Sequence, residues 1–133
     1  MAARHAARRQ AIDLLYQADV TTQEPATAIA ARRAADEAID PFALELVEGV
    51  TAHAAAIDAL LGSAAVDWSV DRMPALDRTI LRVAILELRF RDDVPAAVAI
   101  DEAVGAAKEL STEDSARFVN GVLGRIARES GAS

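Results

Sequence analysis

Cysteine is absent from the sequence, so neither a disulfide nor a thiolate metal site can hold this fold together. Histidine occurs only at His5 and His53, far apart and without metal-ligand spacing, and no metal site is expected. Aromatic residues make up 4% of a chain that is 53% hydrophobic, so the apolar count rests on alanine. Alanine favours helix and lets helices approach one another closely. Only four prolines and six glycines interrupt the chain, and no run alternates apolar and polar residues as a half-buried strand would. The expectation is an all-α fold: a compact single-domain bundle of about seven helices over residues 1–133. There is no glycine-rich phosphate loop, no metal-ligand set and no nucleophile with a nearby histidine, so no catalytic residues, no cofactor and no enzymatic activity are expected. No stretch is long and apolar enough to span a membrane. The basic start, MAARHAARRQ, runs into an amphipathic pattern rather than an apolar signal core, which points to a cytoplasmic protein.

Positive charge is also scarce: the net charge is -7. Long-range attraction to phosphates would be weak or adverse. Any RNA binding must come from a local basic patch and be sensitive to salt. One such patch stands at the start. The first ten residues hold Arg4, Arg8 and Arg9 and no acid. A helix is expected from Arg4 to Asp19, with Ala7, Ala11, Leu14, Leu15 and Ala18 buried and Arg8, Ile12, His5, Tyr16 and Arg9 in the neighbouring sector. Cations at a helix N-terminus oppose the helix dipole. Guanidinium groups suit phosphate forks and can stack on bases, and Tyr16 adds a ring. The other reading is a solvated charged end.

Further along, Ala26 to Ile39 reads as a weak helix anchored by Ile29. Asp40-Pro41 is a strong helix start, an N-cap acid followed by proline at the first helical position. The apolar pattern from Leu46 then holds to Gly62, with His53 on its buried stripe, where a core histidine with a hydrogen-bond partner is expected. Trp68 is expected in a short helix or turn that plugs the core. Leu76 to Arg91 is apolar nearly all round, which marks a buried central helix. Its exception is a stripe of Arg78, Arg82 and Arg89, either a phosphate track or a set of bridges to acids on neighbouring helices. Glu87 falls inside the apolar arc and needs a partner, so it reads as half of a structural ion pair.

From Val98 to Leu123 there are two helical patterns joined by a polar break at Ser111-Thr112-Glu113-Asp114-Ser115, whose side chains can cap a new helix. Phe118 lies at the edge of the second apolar arc, beside Asp114, Gly121 and Arg125. Gly121 and Gly124 sit inside that helix at a cost of about 1 kcal/mol each relative to alanine. Either they permit tight helix packing, with Phe118 peripheral core, or they admit a ligand. The tail from Glu129 to Ser133 should fray.

The stretch Asp93-Val94-Pro95 with Val98-Ala99-Ile100-Asp101-Glu102-Ala103-Val104, then Glu113-Asp114-Ser115 with Phe118-Val119-Asn120-Gly121-Val122-Leu123, resembles the C-terminal signature of the NusB family of bacterial transcription antitermination factors. The arginine-rich start at Arg4 to Tyr16 and the segment Leu76 to Leu88 are similar to that family's first and central helices, in the same order. The resemblance implies a factor that binds boxA RNA of leader and ribosomal RNA transcripts together with NusE, a small-subunit ribosomal protein. It further implies that RNA polymerase and the other Nus factors join indirectly. By resemblance, Arg4, Arg8 and Arg9 match the helix start implicated in RNA contact, and Phe118 matches a phenylalanine at the RNA surface. Asp114 matches an acid that tunes affinity downward, and Asp77 an acidic position in the NusE contact. His5, Tyr16, Arg82 and Arg117 join the RNA set on their charge or ring. The family holds both monomers and homodimers.

Two other readings stand beside this one. A helical protein-interaction module or homodimer without an RNA role fits the acidic surface and alanine-rich faces. The RNA-binding front domain of a ribosomal RNA methyltransferase shares the fold, but the sequence ends at Ser133 with no cofactor-binding domain after it.

Overall fold

The computed structural model describes residues 2–66 and 68–129. Among them are seven α-helices and one short 3-10 turn, and no strand. The helices are α1 (Ala2–Val20), α2 (Pro25–Ala34), α3 (Pro41–Ala52), α4 (Ala54–Ala64), α5 (Ala75–Phe90), α6 (Ala96–Leu110) and α7 (Glu113–Glu129), with the 3-10 turn at Val70–Arg72 between α4 and α5. Of the tail expected to fray from Glu129 to Ser133, Glu129 is the last residue of α7, and residues 130–133 lie outside those described.

The near-continuous apolar wheel of α5 puts it at the centre, where it packs against α1, α3, α4, α6 and α7. Ile80, Leu81, Val83, Ala84, Ile85 and Leu86 are all buried there. Helix α3 approaches this axis through Gly49, where an added β-carbon would sit 2.7 Å from a Leu86 methyl. Alanine does the same for α6, which buries Ala99, Ala103, Ala106 and Ala107 between α5 and α7. The methyl faces replace larger side chains, so the helix axes come close without aromatic filler.

The helix ends follow their sequence signals. Asp40 accepts a hydrogen bond from the Phe42 amide at 2.8 Å and caps α3. Thr112 Oγ1 accepts from the Ser115 amide at 3.0 Å and caps α7, the one residue of the polar break that takes this role. Helix α2 is shorter than expected, because Asp36 adopts a φ of 62°, outside the helical region.

Three expectations are corrected. The helix from Asp40 to Gly62 is two helices, broken at His53 with φ -108° and ψ 19°. The break turns His53 out of the buried stripe, and its exposed ring stacks on Phe90 at 4.2 Å instead of hydrogen-bonding in the core. Trp68 does not plug the core: it is 47% exposed, beside Val66 at 72%.

Candidate nucleic-acid interface

The N-terminal half of α1 lies beside α6, and the two faces carry opposite charge. Arg4 donates to Asp93 at 3.0 Å, and its guanidinium lies 4.2 Å over the Phe42 ring. Arg91 also approaches that ring, at 5.0 Å. Arg91, and after it Arg4, hold the exposed Asp93 carboxyl down at about 2. His5 Nδ1 lies 3.0 Å from a Glu102 oxygen. Arg9 faces the same Glu102 oxygen at 4.0 Å and Glu109 at 3.5 Å. Tyr16 continues this stripe at the helical spacing i+7 from Arg9 and is 36% exposed.

Arg8 belongs elsewhere. Its Nε donates to both Glu87 oxygens, at 2.9 and 3.0 Å, and its Nη2 to one of them at 2.8 Å. Both side chains are at most 4% exposed. Burial pulls the guanidinium pKa down, but the Glu87 bonds and charge outweigh it and the net direction is up. Glu87 thus has the structural partner its position demanded, and Arg8 is removed from the set of surface contacts.

Arg82 is removed as well. It makes a two-pronged bond to Asp58 on α4, at 2.9 Å for each arm. It lines a groove with Asp19, Glu24 and Asp58, near the far end of α1. Arg78 likewise bonds Asp19 at 2.6 Å and the carbonyls of Val70 and Met73. Arg78 and Arg82 of the stripe on α5 therefore bridge to acids, while Arg89 is exposed, and the Arg78–Arg82 end of the molecule would repel phosphate.

On the other side of α6, α7 presents Asp114, Arg117 and Phe118. Arg117 is exposed and pairs with Asp114 one turn away. Phe118 is half-buried, its inner side packed on the core. Gly121 lies one turn on, and an added β-carbon there would meet nothing within 4 Å. This glycine is therefore not a packing device; it faces open space. Gly124 meets only Arg128 of its own helix.

Between α6 and α7 runs a groove of about 480 Å³ whose lining includes Gly105, Lys108, Arg117 and Asn120, with Asp101 and Glu113 as acids in the same wall. Gly105 also touches Arg9, at 3.7 Å from an added β-carbon, so the groove and the α1 stripe meet across it. Lys108 and Asn120 were not singled out from sequence. Their signal was their place on the polar faces of two helices that pack together, which periodicity alone does not pair.

Asp77 also stands corrected. It is 4% exposed, turned inward between α5 and α7. One oxygen accepts from Ser115 Oγ at 3.1 Å, and Ser115 Oγ lies 2.9 Å from Ser111 Oγ. The other oxygen is buried without a hydrogen bond. Burial raises its pKa, and the Ser115 bond opposes this without cancelling it. A carboxyl with a raised folded-state pKa favours folding fully below its unfolded value, and that contribution is lost as pH rises through the folded value. Asp77→Asn should therefore stabilise the protein at neutral pH, by about 1 kcal/mol. The gain should shrink as the pH falls into the carboxylate range. Urea denaturation of both proteins across pH checks this; a gain that grew on acidification would contradict the sign.

Among the described residues no group of three or more His, Asp or Glu side chains is placed to hold a metal ion, and no helix is long and apolar enough to cross a membrane. Fold and site define a small all-helical binding module whose N-terminal cations gather along one helix stripe beside a mixed-charge groove. The chain belongs to the NusB family, whose sequence model matches residues 5–128. It is 51% identical to the transcription antitermination protein NusB of Beutenbergia cavernae, over 96% of this chain and 91% of that one. It is equally identical to that of Saccharopolyspora erythraea, over 96% and 88%. Among solved structures it resembles antitermination factors NusB and NusE in complex with dsRNA, with a TM-score of 0.85 and 26% identity over 97% of this chain and 98% of that one. T. maritima NusB is similar at a TM-score of 0.82 and 32% identity, over 95% and 91%.

Proposed function

We propose that this chain is one NusB-like domain that binds boxA-type RNA jointly with NusE, in the cytoplasm. It would thereby join the antitermination complex of RNA polymerase and the other Nus factors, on ribosomal RNA transcripts among others. It acts by binding and positioning, with no covalent step. The observation that carries this reading is local. In a chain of net charge -7, Arg4, His5, Arg9 and Tyr16 share one stripe of α1, and Arg9 meets at Gly105 the groove of Lys108, Arg117 and Asn120, with the half-buried Phe118 on α7 beside it. Cations supply phosphate contacts and the rings supply base stacking. Asp114, paired with Arg117, opposes phosphate and tunes affinity downward.

The NusE contact belongs on an exposed surface, which Asp77 does not have. The connection after α4 offers one, with Val66 and Trp68 side by side in exposure. Exposed tryptophan is a common interface anchor. A second copy of this chain on the same patch is the competing occupant.

Fluorescence anisotropy of a short labelled boxA-type RNA against a scrambled control, with and without NusE, tests the reading at two salt concentrations. Selective binding that strengthens with NusE is expected. No selective binding from well-folded protein in either condition would favour an interaction module without an RNA role.

A further inference from the structure

We propose that His5 and Arg9 converge on a single-phosphate subsite, which Glu102 fills in the free protein and yields to an RNA phosphate on binding. This rests on the RNA reading above. One Glu102 oxygen lies 3.0 Å from His5 Nδ1, 3.9 Å from Arg8 Nη1 and 4.0 Å from Arg9 Nη1. His5 and Arg9 of α1 thus flank one acid of α6, with the buried Arg8–Glu87 pair behind them. Their arrangement is unlike that of the buried pair nearby. Glu87 takes three hydrogen bonds from Arg8 at 2.8 to 3.0 Å, whereas Glu102 reaches both arginines only at ion-pair distance.

The donors are left wanting. Arg9 Nε and Nη1 are closed off from solvent and make no hydrogen bond. Glu109 stands 3.5 Å from the first, beyond good hydrogen-bond geometry. Buried donors ordinarily find an acceptor. A phosphodiester brings two anionic oxygens and matches the guanidinium fork, so it can satisfy donors that one carboxylate arm does not. Glu102 is 21% exposed and Glu109 is 55% exposed, so both have a path to water when displaced. In the free protein they hold the arginines ready and screen them from non-specific anions.

Glu102→Gln is the direct test. It keeps shape and removes the competing charge. Affinity for the labelled boxA-type RNA should rise about fivefold, the scale of one partly exposed ion pair. Glu109→Gln should act in the same direction, more weakly. Glu24→Gln removes the same charge from the groove with Asp19 at the far end of α1 and should change affinity less than about twofold, as a surface charge at a distance does. The gain from Glu102→Gln should vanish in a His5→Ala/Arg9→Ala background, as a double-mutant cycle requires. Unchanged or weaker binding by Glu102→Gln, with the fold intact, would make Glu102 a fixed structural acid and overturn the proposal.

Titration with inorganic phosphate, followed by NMR shifts of the His5 ring and Arg9 side chain, separates the two levels. Stronger shifts in Glu102→Gln than in the natural sequence support the subsite even if boxA-type RNA fails to bind, which would sink only the RNA reading. Equal shifts in both proteins would sink the subsite.

Discussion

Arg8→Ala is expected to lower stability by about 3–5 kcal/mol, the cost of breaking a buried ion pair from one side. Domains of this size are stable by about 5–15 kcal/mol in total. The loss therefore takes about a third to a half of a mid-range stability, and the variant should melt at a clearly lower temperature. It leaves the Glu87 carboxylate, 1% exposed, without the three hydrogen bonds that satisfy it. These bonds tie α1 to α5 across 79 residues of sequence, so their loss loosens the bundle at its axis. Replacing both partners with apolar residues, as Arg8→Met with Glu87→Leu, should restore most of the loss, because nothing charged remains buried. Urea denaturation of the single and double variants decides it. Were Arg8→Ala to keep its stability and lose only RNA affinity, Arg8 would be a surface contact after all.

Phe118→Leu should separate binding from folding in the opposite way. Stacking of a base on an aromatic ring contributes about 1–3 kcal/mol, so affinity for boxA-type RNA should fall about five- to 150-fold. Leucine keeps part of the apolar contact with the core, and at a half-buried site the smaller side chain should cost about 1 kcal/mol of stability, well below a full truncation. The salt dependence of binding should stay unchanged, since no phosphate contact is removed. Anisotropy at several salt concentrations, beside thermal melting, reads all three. Phe118→Ala should lose the same affinity with a larger drop in stability, because Phe118 is packed on the core along its inner side. Losses of equal size in binding and melting for Phe118→Leu would assign the ring to the core.

The fold was legible because its signals are periodic. The all-round apolar wheel placed α5 at the centre, Asp40-Pro41 started α3, and the polar break before Glu113 opened α7. What sequence did not reveal was which faces meet. A wheel groups Arg8 with Arg9 and His5, yet Arg8 also stands four residues before Ile12 and seven before Leu15, both buried. Read together with Glu87, a lone acid on an apolar arc, that spacing marks a pair between two buried stripes. Arg82 could not be assigned to Asp58 without knowing that α4 packs on α5. His53 was placed in the core by a phase carried through a break that has no proline or glycine to announce it. Trp68 lies in a short connection with no period, so its size alone suggested burial. The local cationic stripe and the edge position of Phe118 were readable; Lys108, Asn120 and the open space at Gly121 depend on how α6 and α7 pack.

The alanine faces of α6 bear on how this chain can change over generations. From any alanine codon, a single-base substitution reaches valine, threonine, serine, glycine, proline, aspartate or glutamate. At Ala99, Ala103, Ala106 and Ala107, all at most 5% exposed, most of these outcomes are harmful. Valine and threonine overfill a contact built for a methyl group, at about 1–3 kcal/mol. The acids bury a charge, and proline breaks the helix. Serine and glycine are the mildest exits, and each still weakens the helix. A core made of small residues thus leaves few neutral steps, and α6 should drift more slowly than the leucine-rich axis it covers, where one aliphatic side chain can stand in for another.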